Sequence, residues 1–250
     1  GIVSSQGCPL KTQGLVVGTK INEVLEQVRI PSINVDGQFI YSGIFNEGSH
    51  ELEAQVSDSA NNQRTINYAF NVDQTPPIIT FIQPIQNTAI SNTEAYRFEC
   101  LVKDLESGID HTSVTANGTL LTLTPVEDGF KASGTLNFEP GSHTVEVHVR
   151  DLVGHESRAS FTYIRDIIPP IWSLIEPNIG DAIHSFDTLF IDAQDEGGAG
   201  VAQVKVNGVI AEPFGGLWLA AGVPINDPNL IHVEVVDQAL NLAEETLIPE

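Results

Sequence analysis

The sequence predicts an all-β fold, built as tandem antiparallel β-sandwiches in an elongated array. Three observations carry that expectation. Several stretches recur in one order at one spacing, apolar residues within them alternate with a period of two, and turn dipeptides punctuate them at regular intervals. Length alone would allow one large domain or two to three small ones in 250 residues.

NVDQTPPIIT (71–80) returns as YIRDIIPPIW (163–172), so Asp73 and Asp166 stand 93 residues apart. DGQFIYSGIFNEGSHELEAQVSD (36–58) aligns with DGFKASGTLNFEPGSHTVEVHVRD (128–151), and GGLWLAAGVPINDPNLIHVEVVD (215–237) keeps the pattern. PPIITFIQP (76–84) matches PPIWSLIEP (169–177), and KDLESGI (103–109) matches QDEGGAGV (194–201). The copies divide the chain into 1–73, an incomplete or divergent module, followed by full modules at 74–166 and 167–250. The Asp of each linker follows the last motif Asp by 15 residues, which would place the next linker just beyond Glu250. With no methionine in the chain, it reads as an excerpt of a longer array or a processed product.

Within each copy, alternate side chains form two faces. Val145, Val147 and Val149 share one, Thr144, Glu146 and His148 the other; Leu52, Ala54 and Val56, then Ile231, Val233 and Val235, are the equivalents. Tyr96, Phe98, Cys100 and Val102 point inward on an earlier strand, matched by Leu189, Ile191 and Ala193. Asn117-Gly118, Asn207-Gly208, Asp36-Gly37 and Asp128-Gly129 suit tight hairpins. Roughly seven short strands per 90 residues is the pattern of an immunoglobulin-like sandwich. One segment departs: Ile21, Val24, Leu25 and Val28 fall at helical spacing in TKINEVLEQVR, which predicts a short helix there.

The Asp-x-x-Pro-Pro linker, the Asp followed by Ser-Gly-Ile or Gly-Val, the Asn-Gly hairpin, the Gly-Ser-His strand and a closing Asp-x-x-Gly-Asn together resemble the bacterial Ig-like repeats of surface adhesins and secreted multidomain proteins. Residues 74–166 and 167–250 carry the whole pattern and 31–73 its second half. The closing motif reads DSANN (58–62), DLVGH (151–155) and DQALN (237–241), with His155 and Leu240 departing from it. The resemblance implies a stalk or spacer, sometimes with binding, in an extracellular or cell-surface setting, and does not imply catalysis.

Composition narrows the partners. Asp and Glu number 33 against 11 Lys and Arg, a net charge of -22, which repels nucleic acid and anionic lipid. Apolar runs are far too short to span a bilayer. The expected partners are neighbouring repeats of the same chain, with a host glycan or protein as the ligand of any binding role. Signatures for zinc-protease, serine-hydrolase, phosphate-loop and EF-hand chemistry are missing, so the expectation is a non-enzyme. An accessory region of a secreted polysaccharide-active enzyme is a further alternative.

The candidate site lies at the module poles. In this topology the N-terminal linker and the second-to-third and sixth-to-seventh strand loops gather at one end. That brings together Asp73, Asp104, Glu106 and Asp151 in the second module, and Asp166, Asp195, Glu196 and Asp237 in the third. Converging carboxylates repel unless neutralised, and Ca2+, with six to eight oxygen ligands, suits such a set. Turn capping by Asp competes with that reading, and the Pro-Pro pair stiffens the linker by itself. Cys100 is expected as a small buried hydrophobe, while Cys8 has no evident partner and sits in a poor lipoprotein box. His50 and His143, at one position of the repeat, read as hydrogen-bonders in turns. Trp172 and Trp218 sit on alternating strands that favour packing, with a sugar platform at Trp218 as the alternative.

Overall fold

The computed structural model describes residues 16–21, 24–29, 44–57, 60–177, 187–225 and 230–248. Every regular element among them is a β-strand, and no helix is present among the described residues. Two compact units result, one of Gly1–Ile78, Lys103–Asp110 and Arg150–Ser157, the other of Ile79–Val102, His111–Val149 and Arg158–Glu250.

In the first unit, β1 (Val16–Ile21), β2 (Val24–Arg29), β3 (Gly48–Ser57) and β4 (Gln63–Val72) form one antiparallel sheet in the order β2-β1-β3-β4. The helix expected from Ile21, Val24, Leu25 and Val28 is therefore corrected: Ile21 pairs with Val24 and the register runs out to Val16 opposite Arg29. Two six-residue segments rich in β-branched residues gain more from pairing than from helical turns, since χ1-restricted side chains fit a pleated surface and so short a helix is marginal. Cys8, the Asp36-Gly37 pair and Asp58 lie outside the described residues.

The second copy supplies β5 (Ile78–Gln83), β6 (Thr88–Ser91), β7 (Ala95–Lys103), β8 (Thr115–Ala116), β9 (Thr119–Leu120), β10 (Thr122–Val126), β11 (Gly129–Asn137), β12 (Gly141–Arg150) and β13 (Glu156–Arg165). They form sheets β10-β11-β7-β5 and β6-β13-β12-β8-β9. β10 with β11, β11 with β7, β12 with β8 and β8 with β9 pair antiparallel, while β6 and β13 pair parallel from Thr162–Thr88 to Arg165–Ser91. The hairpin turns take the backbone their residues favour: Asn117 and Gly118 have φ of 47° and 80°, Asn207 and Gly208 45° and 82°.

The third copy supplies β14 (Ile171–Glu176), β15 (Leu189–Gln194), β16 (Val201–Val206), β17 (Val209–Ile210), β18 (Glu212–Phe214), β19 (Leu217–Ala220), β20 (Ile231–Asp237) and β21 (Leu242–Leu247). Its sheets, β14-β15-β19-β18 and β17-β16-β20-β21, repeat the strand order of the second copy, except that no counterpart of β6 is present among the described residues. The first, second, fifth and fourth strands on one sheet against the third, sixth and seventh on the other is the immunoglobulin arrangement. The sheet of the first unit has the order of β17-β16-β20-β21.

Each sandwich fills its own interior. In the second, Phe161 and Tyr163 of one sheet meet Phe81, Tyr96 and Phe98 of the other at ring-centroid distances of 4.6–6.0 Å. Phe98, Cys100, Val102, Val145, Val147 and Val149 are fully buried beside them. In the third, Leu189, Ile191, Val204, Val206, Ile231, Val233 and Val235 form a cluster whose members and flanking residues all come from 172–247. Burial of such side chains contributes about 1.5–3 kcal/mol each and drives each sandwich to close.

Candidate functional site

The closing motif builds the same turn twice. Asp151 follows β12 and Asp237 ends β20; both are buried to within 1%. The Asp151 amide donates to His155 O at 3.0 Å, and the His155 amide returns a bond to Asp151 Oδ1 at 2.9 Å. Asp237 and Asn241 exchange the same pair at 3.2 and 2.8 Å. The remaining oxygen is held by the fifth residue's side chain: His155 Nδ1 lies 2.8 Å from Asp151 Oδ2, and Asn241 Nδ2 lies 2.8 Å from Asp237 Oδ2. Val153 and Gly154 amides add bonds of 2.9 and 2.6 Å to Asp151 Oδ1. The fourth position of the turn needs a left-handed backbone, with φ of 68° at Asn61, 106° at Gly154 and 69° at Leu240. Asn and Gly take that geometry readily and Leu does not.

These turns tie the linkers down. Asn241 Nδ2 also donates to Asp166 O at 2.9 Å. Asp166 Oδ1 accepts the Ile168 amide at 2.9 Å, and Asp166 Oδ2 accepts the Ala199 amide at 2.9 Å. Gly197 lies so near that a Cβ there would fall 1.9 Å from Asp166 Oδ1, which is why the loop carries glycine. Asp195 closes its own loop through the Gly197 and Gly200 amides, at 3.1 and 2.5 Å. In the first unit, Asp73 Oδ1 accepts from Thr75 N and Thr75 Oγ1 at 3.0 and 3.3 Å. Gln74 N and Thr75 Oγ1 reach Glu47 at 2.9 and 3.1 Å, Gln74 Nε2 reaches Phe45 O at 2.9 Å, and Ser157 Oγ donates to Pro77 O. Ser107, foremost, and then Thr75 hold the Asp73 carboxyl below its ordinary range against the opposing effect of desolvation.

Of the eight acidic residues, Asp73 and Asp151 come together with His155, and Asp166 with Asp195 and Asp237; within each group one ligand atom per residue lies within 4.8 Å of the others. Asp104 instead caps its own loop, accepting from Ser107 N and Gly108 N at 3.0 and 2.7 Å. Glu106 and Glu196 are exposed and belong to neither group. The residues that sequence reasoning did not place in the site are His155, Asn241 and Gly197. Their signal was positional: His155 and Asn241 share the fifth place of the closing motif, and Gly197 follows the acidic pair.

Magnitudes decide what holds the third-module triad. Three carboxylates about 5 Å apart repel by about 3 kcal/mol per pair at an effective dielectric near 20. Each of their six oxygens accepts one N–H, from Ile168, Ala199, Gly197, Gly200 and twice from Asn241. Charge-assisted bonds contribute about 1.5–3 kcal/mol each, a sum of the same order as the repulsion.

The other candidates fall into packing roles. His50 Nε2 and His143 Nε2 each lie 2.7 Å from the carbonyl four residues back, Asn46 O and Glu139 O. Cys100 is a buried free thiol opposite Ala132, and burial pushes its pKa up to about 11. Trp218, opposite Ile191 and Pro213, packs with Trp172 against the third core.

No family model matches the chain, and no curated protein matches it. Among solved structures it is similar to the fibronectin(III)-like modules of Clostridium thermocellum CbhA, at 13% identity and a TM-score of 0.38, covering 68% of this chain and 91% of that one. The immunoglobulin domains 1–5 of Sidekick-1 match at 12% identity and a TM-score of 0.39, over 94% of this chain and 51% of that one. A tetra-tandem repeat from the extending region of a large adhesion protein matches at 16% identity and a TM-score of 0.29, over 94% and 66%. The chain thus spans about half of the Sidekick-1 fragment.

Proposed function

We propose that the chain is a spacer segment of a secreted or cell-surface protein, a run of self-contained sandwiches that holds a distal domain away from the surface and carries no reaction of its own. The observation that supports it is the way the linkers are fastened. Asp166 is tied by its carboxylate to the Ala199 amide and by its carbonyl to Asn241, so bending there breaks hydrogen bonds to buried groups. Two prolines after each linker Asp restrict the backbone further. Small-angle scattering of the full chain tests the reading. A single globule of this length has a radius of gyration of about 18 Å. Three modules with ten-residue strands, set end to end, would give roughly 30 Å. A value near the globule overturns the spacer.

A second reading adds Ca2+ at the poles, held by Asp166, Asp195 and Asp237 and by Asp73 and Asp151. The convergence of one oxygen from each third-module carboxylate within 4.8 Å favours it. The donor set is short of the six to eight oxygens Ca2+ takes, and each triad oxygen already accepts an N–H. Melting curves in chelator and in millimolar Ca2+ decide: coincident curves exclude this role for the ion.

A further inference from the structure

The outer face of the β17-β16-β20-β21 sheet carries three side chains of types able to ligate a metal, away from the poles. His232 and Glu234 stand two residues apart on β20 and so share a face, and Glu244 on β21 is the direct cross-strand partner of Glu234. One ligand atom from each lies within 4.8 Å of the others. His232 Nδ1 is 3.0 Å from Thr246 Oγ1, and its Nε2 is 3.5 Å from Glu234 Oε1. A hydroxyl at Nδ1 orients the ring and leaves Nε2 toward the carboxylates, the arrangement used by metal-bound imidazoles.

The preceding sandwich shows what this face lacks. Two carboxylates directly opposite each other destabilise a sheet. Measured from the motif Asp of each copy, His232, Glu234 and Glu244 correspond to Glu146, His148 and Arg158. There the carboxylate is met from within: Arg158 Nη1 lies 2.7 Å from Glu146 Oε1. The third sandwich has Glu244 where the second has that guanidinium. Lys205, the β16 partner of Glu234, stands on the side of Glu234 away from Glu244.

We propose that His232, Glu234 and Glu244 form a site for a first-row divalent transition ion of the Zn2+ class, with one nitrogen and two oxygen ligands and the remaining positions open. An imidazole in the set selects such an ion over Ca2+, which takes oxygen alone.

The test uses the full chain, Zn2+ as the probe, and the ring 15N signals of its histidines, with affinity measured by calorimetry. Stoichiometric Zn2+ shifts the His232 ring signals, which are identified by their loss in His232→Ala. His232→Ala, Glu234→Gln and Glu244→Arg each weaken binding at least tenfold, while the Glu244→Arg thermal curve shows the sandwich intact. Absence of a His232 shift, an affinity unchanged in Glu244→Arg, or a response that moves to His155 or vanishes with Asp166→Asn overturns the proposal.

Discussion

Substituting Gly197 by alanine tests the joint at its tightest point. The new Cβ would lie 1.9 Å from Asp166 Oδ1 and 2.4 Å from Cγ, far inside van der Waals contact. Asp166 cannot swing away freely, since it is buried and both its oxygens are held, by the Ile168 and Ala199 amides. Either the loop shifts, at an overpacking cost of about 1–3 kcal/mol, or the carboxylate gives up a charge-assisted bond of about 1.5–3 kcal/mol. Either way the cost is about 1–3 kcal/mol, which lowers the Tm of a module this size by about 4–24 °C. Tryptophan fluorescence reads the change locally, because both tryptophans of the chain, Trp172 and Trp218, pack against the third core. In an Asp166→Ala background the obstructing atoms are gone, and Gly197→Ala then costs at least about 1 kcal/mol less. A single variant melting within about 2 °C of the parent, or an undiminished cost in the Asp166→Ala background, refutes this account of the joint.

Leu240 holds a left-handed backbone at φ 69° with its side chain in solvent, so Leu240→Gly relieves about 1–2 kcal/mol of strain against about 0.5–1 kcal/mol of added chain entropy. The third module should gain about 0.5–1 kcal/mol by the same fluorescence melt, and a loss would show the turn to be unstrained. Cys100, in a Cys8→Ser background, should resist thiol reagents at pH 8 until the chain unfolds. Its folded pKa is raised from 9.0 to about 11, so its contribution is intact below pH 9 and is lost as pH rises toward 11; Cys100→Val should lack that decline. Asp73 has the opposite sign. Its lowered pKa gives stability that is present above the ordinary value of 3.8 and is lost as pH falls through the lowered one, so the deficit of Asp73→Asn should close in acid.

The fold was legible wherever periodicity and turn chemistry agreed. Val145, Val147 and Val149 alternate with polar neighbours and are buried as that alternation requires, and Asn117-Gly118 turns a hairpin through two positive φ angles. Residues 16–29 misled because Ile21, Val24, Leu25 and Val28 fit a helical stripe, while the pairing that makes them strands comes partly from β3, whose partners lie 31 to 39 residues away. The acidic poles were legible only in part. Asp73, Asp151, Asp166, Asp195 and Asp237 join clusters, yet composition could not show that Asp104 would spend its carboxylate on the Ser107 and Gly108 amides. Nor could it show that backbone N–H groups, which leave no trace in side-chain pattern, would meet the charges of the third-module triad.

Phe98→Ala gives the most direct measurement of whether the sandwiches are separate cores. Phe98 is fully buried in the second sandwich, so its truncation costs about 3–5 kcal/mol there. Urea unfolding is followed by far-UV circular dichroism for the whole chain and by tryptophan fluorescence for the third sandwich. Self-contained modules predict an early phase in the dichroism with the fluorescence midpoint unmoved. A fluorescence midpoint that falls in step with the dichroism would mean one shared interior, and would contradict both the architecture and the spacer role.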